Sequence, residues 1–74
     1  MKELLKDLIS KFRNSLGNEF MGLELRDSEL ILSTGLLHDY IVQNYIGDEY
    51  KVVKMVYEWD EEDYECREWL IVKK

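Results

Sequence analysis

The chain has no proline and no alanine, and its 74 residues include one cysteine, Cys66, and one histidine, His38. A single thiol excludes an internal disulfide, which a secreted domain this small usually needs to offset a thin core. One imidazole and one thiol also cannot supply the four nitrogen and sulfur ligands of a structural zinc site. The two lie far apart in the sequence, and nothing in their spacing brings them together as nucleophile and base. The expectation is a surface histidine and a small, half-buried cysteine. The glycines, at 17, 22, 35 and 47, stand singly and match no phosphate-cradling loop.

Positive charge is also scarce. Ten lysines and arginines face sixteen acids, a formal net charge of −6, which lacks the basic footprint of a direct nucleic-acid binder. The longest uncharged run, Leu30 to Leu37, is far short of the roughly 20 apolar residues of a membrane span. Charges recur from Lys2 to Asp7 with no apolar stretch behind them, so the start does not read as a secretory leader. With the lone cysteine, this points to a cytoplasmic protein. Lysine outnumbers arginine seven to three, and alanine and proline, both with GC-rich codons, are missing; this fits an AT-rich genome such as those of low-GC bacteria and their phages.

What is present describes one small domain over residues 1–74, with no repeat or linker. A chain of this length buries only about 60% of the surface it exposes when unfolded. Leu4, Leu5, Leu8, Ile9, Phe12 and Leu16 follow a helical period and predict an amphipathic helix over about 2–16. Lys2, Glu3, Lys6, Asp7, Ser10, Lys11 and Asn14 fall on its polar face, and Gly17 is placed to stop it. The period then changes to two. Met21, Leu23 and Leu25 alternate with Gly22, Glu24 and Arg26, and Leu30 and Leu32 follow Asp27-Ser28. A two-residue turn there sets Leu25 opposite Leu30 and Leu23 opposite Leu32, all on one sheet face.

Residues 36–46 are read as a strand because Tyr40 to Ile46 is rich in β-branched and aromatic residues. The alternative is a helix with Leu36, Leu37, Tyr40, Ile41 and Tyr45 on one face and Gly47 as its stop. Residues 50–59 alternate Val53, Met55, Tyr57 and Trp59 with Val52, Lys54, Val56 and Glu58, a further strand. An exposed acidic turn over Asp60, Glu61, Glu62 and Asp63 follows. Residues 65–72 return as the last strand, with Trp69 and Ile71 on one side and Leu70 and Val72 on the other. The expected fold class is α+β, an N-terminal helix packed on a four- or five-stranded antiparallel meander.

The densest local signal is acidic: seven of the eleven residues from Glu58 to Glu68 are carboxylates, offset only by Arg67. Four of them are contiguous and no glycine follows, so the pattern is not a calcium-binding loop. The plain structural reading is a solvated turn that aids solubility and blunts a sheet edge. The functional reading is a recognition surface, because carboxylates along a strand and turn can meet a basic patch and speed association. Seven of the nine aromatic residues lie in the last 35 positions, and tyrosine and tryptophan are favoured anchors of interfaces.

Glu58, Trp59, Asp60, Glu61, Glu62, Asp63, Tyr64 and Glu65 are therefore the candidate partner-binding residues. The chain reads as a non-enzymatic acidic binding protein with no cofactor, no metal and no catalytic residue. Its partner would be a protein with a basic surface. The most specific version is a phage or mobile-element inhibitor that occupies the basic surface of a host nucleic-acid-handling protein. The alternative is a self-associating structural protein, a homo-oligomer such as a homodimer, motivated by more large apolar residues than a thin core can hold.

Overall fold

A computed structural model describes the backbone of residues 2–74 and the side chains from Leu4 onward. The polar-face positions expected for Lys2 and Glu3 lie outside the described side chains. Helix α1 spans Lys2–Leu16 and buries Leu8, Phe12 and Leu16, which recur every four residues along one face. Leu5 and Ile9 flank this stripe, whereas Leu4, at the helix start, is mostly exposed. Gly17 takes φ 59° and ends the helix where a side chain would be strained, leading into a short 3-10 turn, Gly17–Glu19.

Strands β1 (Phe20–Arg26) and β2 (Glu29–Thr34) form the expected hairpin, with Leu25 opposite Leu30 and Leu23 opposite Leu32. Asp27 and Ser28 make the turn with φ of 53° and 68°. Two consecutive positive φ angles define the type I′ geometry, whose twist matches the flanking strands.

The segment over 36–46 corrects the strand expected there: it holds an eight-residue helix, α2, at Asp39–Ile46. The sheet explains why. Strands β3 (Tyr50–Glu61) and β4 (Tyr64–Lys73) complete one four-stranded antiparallel sheet in the order β1-β2-β4-β3. Strands β2 and β3 each run antiparallel to β4, so they are parallel to one another with β4 between them. A chain joining them must cross over the sheet, which requires a dozen or so residues and is usually done by a helix. The buried face of α2 is Val42 and Ile46, while Tyr40 and Tyr45 of the face expected from sequence stand in solvent. Gly47, at φ 84°, stops the helix as expected.

Both helices cover the same side of the sheet. Leu8, Phe12, Leu16, Val42 and Ile46 meet Leu23, Leu32, Tyr50, Trp69 and Ile71 in one cluster. Phe12 and Tyr50 pack edge to face at 5.7 Å. Two polar groups inside this layer have assigned partners. The indole Nε1 of Trp69 donates to the Thr34 hydroxyl at 2.9 Å, and that fully buried hydroxyl donates to the Gly35 carbonyl at 2.8 Å. The Gln43 amide works as a clamp between α2 and β3. Its nitrogen donates to the carbonyls of Gly47 (3.0 Å) and Tyr50 (2.8 Å), and its oxygen accepts from the Val52 N–H (2.9 Å). One side chain thus satisfies the outer edge of β3 at its first turn of pairing.

The turn at Asp27-Ser28 is the local weak point, because L-residues reach positive φ only at a cost. Replacing Asp27→Asn together with Ser28→Gly is expected to raise stability by about 1 kcal/mol. Urea unfolding checks this; a lowered midpoint would contradict the turn geometry.

Candidate functional site

The β3–β4 hairpin is longer than the core beneath it. The last pair between β2 and β4 is Thr34 with Arg67, so Trp59 to Cys66 extends as a two-stranded arm with no third strand beside it. Its turn corrects the acidic loop expected over Asp60–Asp63. β3 continues through Glu61, and only Glu62 and Asp63 form the turn.

Facing residues in an antiparallel pair share a sheet face, so the register sorts the candidate residues. Glu58 faces Arg67 and Asp60 faces Glu65 on the helix-covered side; Trp59 faces Cys66 and Glu61 faces Tyr64 on the opposite, outer side. Glu62 and Asp63 sit at the tip. The eight residues are therefore not one acidic surface but two faces and a tip. Two bulges, at Val53 and Val56, also break the alternation expected along β3. Met55 lies on the helix side opposite Trp69, whereas Tyr57 turns to the outer side opposite Glu68.

No helix covers the outer face. Tyr57, Trp59 and Tyr64 form a row there, with ring centroids 6.3 Å and 6.2 Å apart, and they remain 44%, 41% and 52% exposed. Cys66 is buried beneath them. Its surroundings push the thiol pKa up, chiefly through burial and additionally through the Glu68 charge, while a hydrogen bond with the Tyr64 phenol pulls it partly back. Tyr64 is raised as well, first by Cys66. Farther along this face Arg26 reaches over β2 to Glu68 at 3.0 Å and also pairs with Glu24. Hydrogen bonds to Glu68 and then Glu24 hold the guanidinium still more firmly in its charged form.

On the helix side an open groove of about 500 Å³ runs between the start of α2 and the base of the arm. His38 and Tyr40 stack along it at 5.5 Å. Arg67 closes one end: its Nε donates to Glu58 at 2.6 Å and its Nη1 to the Leu37 carbonyl at 2.6 Å. The guanidinium is thereby committed to fastening the loop before α2 to the arm. His38 and Cys66 fall on opposite sides of the sheet, consistent with their expected separation. Among the described residues no group of three or more histidine, cysteine or acidic side chains could hold a metal ion, and no helix is long and apolar enough to cross a membrane.

Two contributors stood outside the candidate set. Tyr57 shares the face of Trp59, as the alternation of the sequence has it, and the Val56 bulge only sends Met55 to the other side. Arg67 could have been found, since a two-residue turn at Glu62-Asp63 places it opposite Glu58.

The chain matches none of the protein-family models, curated proteins or solved structures with which it was compared.

Burial of Cys66 beneath the aromatic row makes two measurable statements. In the native chain it is expected to react with iodoacetamide at neutral pH more slowly than in urea, by on the order of tenfold. Because the unfolded thiol loses its proton first, stability should also fall as pH rises through and above the ordinary thiol range, and this part of the loss should vanish in Cys66→Ser. Equal alkylation rates in the folded and unfolded chain would contradict the burial.

Proposed function

We propose that the chain is a non-enzymatic binding module that docks through the β3–β4 arm on a protein partner with a basic surface. One observation supports this most: three large aromatic side chains stand in a row on a sheet face that no helix covers, next to a tip of exposed carboxylates. Exposed tyrosine and tryptophan offer large contact area at little cost in side-chain entropy, so they anchor interfaces. Glu61, Glu62 and Asp63 lie at the far end of the arm, where they steer a cationic surface toward those anchors. Glu58 has a structural task, held by Arg67, and is not part of the docking surface.

Proteins that grip nucleic acid carry basic surfaces of the required kind. The proposal extends to an inhibitor that sets these carboxylates where phosphates would sit, in the manner of a phage or mobile-element product.

The test is affinity capture from a bacterial lysate at low and moderate salt, with three baits: the native chain, Trp59→Ala with Tyr64→Ala, and Glu61→Gln with Glu62→Gln and Asp63→Asn. A basic protein held by the native bait, released by salt and weakened about thirtyfold by loss of the aromatic anchors is the expected result. Weakening and loss of salt dependence are expected for the amide bait. Retention of the same proteins by all three baits, or of none by the native chain, would overturn the proposal.

A further inference from the structure

Strand β3 is an outer strand of the sheet, and its free edge changes character along its length. At the base the Gln43 amide occupies it, donating to the Tyr50 carbonyl and accepting from the Val52 N–H. Tyr50 and Val52 therefore turn these backbone groups away from β4. Their facing residues, Lys73 and Ile71, belong to pairs that share no hydrogen bond with β3. β4 runs on to Tyr64 without a bulge, so this alternation carries through it to Arg67 and Glu65. Glu58 and Asp60, which face those two, consequently turn their own N–H and C=O groups to the free edge. The two-residue turn at Glu62-Asp63 gives the same parity, since the pair flanking such a turn, Glu61 with Tyr64, is a bonded one. The bulges at Val53 and Val56 interrupt the edge lower down, whereas Tyr57–Glu61 pairs regularly with β4. Among the described residues nothing bonds the outward backbone groups of Glu58 and Asp60.

From this edge we infer that the basic partner enters as an extended segment, antiparallel to β3, which adds a strand to the sheet at Tyr57–Glu61. The inference rests on the docking role proposed for the arm and supplies its geometry. Charge decides the occupant. On the helix side Asp60 faces Glu65, and neither makes an ion pair among the described residues. Like charges directly opposite are unfavourable, and a lysine or arginine beside Asp60 relieves them. A second copy of the same edge does the reverse, because antiparallel pairing about Trp59 sets Glu58 against Asp60 twice. The side chains of an added strand alternate in step with those of β3. Its residue facing Glu61 lies on the outer side and the next, facing Asp60, on the helix side, so both are basic. Residues facing Trp59 and Tyr57 share the outer side with those partly exposed rings and are apolar. The residue between them meets Glu58, a carboxylate already held by Arg67, and needs only to be small and polar. From its N-terminus the segment reads basic, basic, apolar, polar, apolar.

The probe is an acetylated and amidated peptide of that pattern, Lys-Arg-Val-Thr-Val, titrated into the isotope-labelled native chain and followed by amide NMR. Saturation should slow hydrogen exchange at the Glu58 and Asp60 amides, which are free beforehand. The Trp59 and Glu61 amides, already bonded to β4, should change little. N-methylation at the peptide's threonine removes an N–H aimed at β3 and should weaken binding at least about tenfold. The same group on its central valine points away from β3 and should change affinity by less than about twofold. Asp60→Asn, with folding verified by circular dichroism, should weaken binding about threefold, whereas Lys51→Gln with Lys54→Gln, off the seam, should not weaken it. Binding that leaves the Glu58 and Asp60 amides unprotected, or that is indifferent to where the N-methyl group sits, would overturn strand addition and leave docking by the outer face standing. No binding at millimolar peptide would overturn it as well, and capture of a folded basic protein by the native bait then decides the docking role separately.

Discussion

Everything in this fold depends on the pairing of β2 with β4. The chain makes two hairpins, β1–β2 and β3–β4, and five facing residue pairs, Leu30 with Ile71 through Thr34 with Arg67, join them into one sheet. At the middle of that ladder Leu32 faces Trp69, and both are buried under the helices. Two pairs further on, the Trp69 indole reaches the hydroxyl of buried Thr34. Without the ladder neither hairpin has a core of its own, because an isolated two-stranded hairpin is marginal in water. The ladder also forces the connection from β2 to β3 to cross over the sheet. It therefore creates the need for α2, the seat for Val42 and Ile46, and the clamp made by Gln43.

The same constraint leaves the arm. β2 is six residues long, while β3 and β4 run to twelve and ten. The longer hairpin outruns its neighbour, and both helices sit on one face near the shared ladder. What extends beyond is held mainly by its own pairing, by Arg67 with Glu58, and by the mutual packing of Trp59 and Tyr64. Large aromatic groups left in solvent on such an overhang add little to the core, and the proposed docking role rests on their exposure.

Much of this was legible in the residues. The period of α1, its stop at Gly17, the register of Leu23 and Leu25 with Leu32 and Leu30, and the two sides of β4 all follow from local alternation that the tertiary structure leaves intact. Residues 36–46 were not legible. Tyr40, Ile41, Val42 and Tyr45 favour a strand by composition, and the helix exists because the crossover requires one, a fact that belongs to the strand order and not to the segment. The bulges in β3 are equally silent, since Val53 and Val56 look like ordinary members of an alternating run. At the candidate site, the exposure of Trp59 and Tyr64 was anticipated. The division of the acids between two faces follows only once the turn is narrowed to Glu62-Asp63.

Residue-by-residue amide hydrogen exchange tests the central claim that the arm stands outside the cooperative core. Exchange reports the free energy of local and global opening separately. The account predicts that the slowest amides of Leu30–Thr34 and Arg67–Ile71 exchange only with global unfolding, whereas those of Trp59–Cys66 exchange through a smaller opening. Protection of the arm equal to that of the β2–β4 ladder would contradict it and would show that the hairpin is held by something beyond its own two strands.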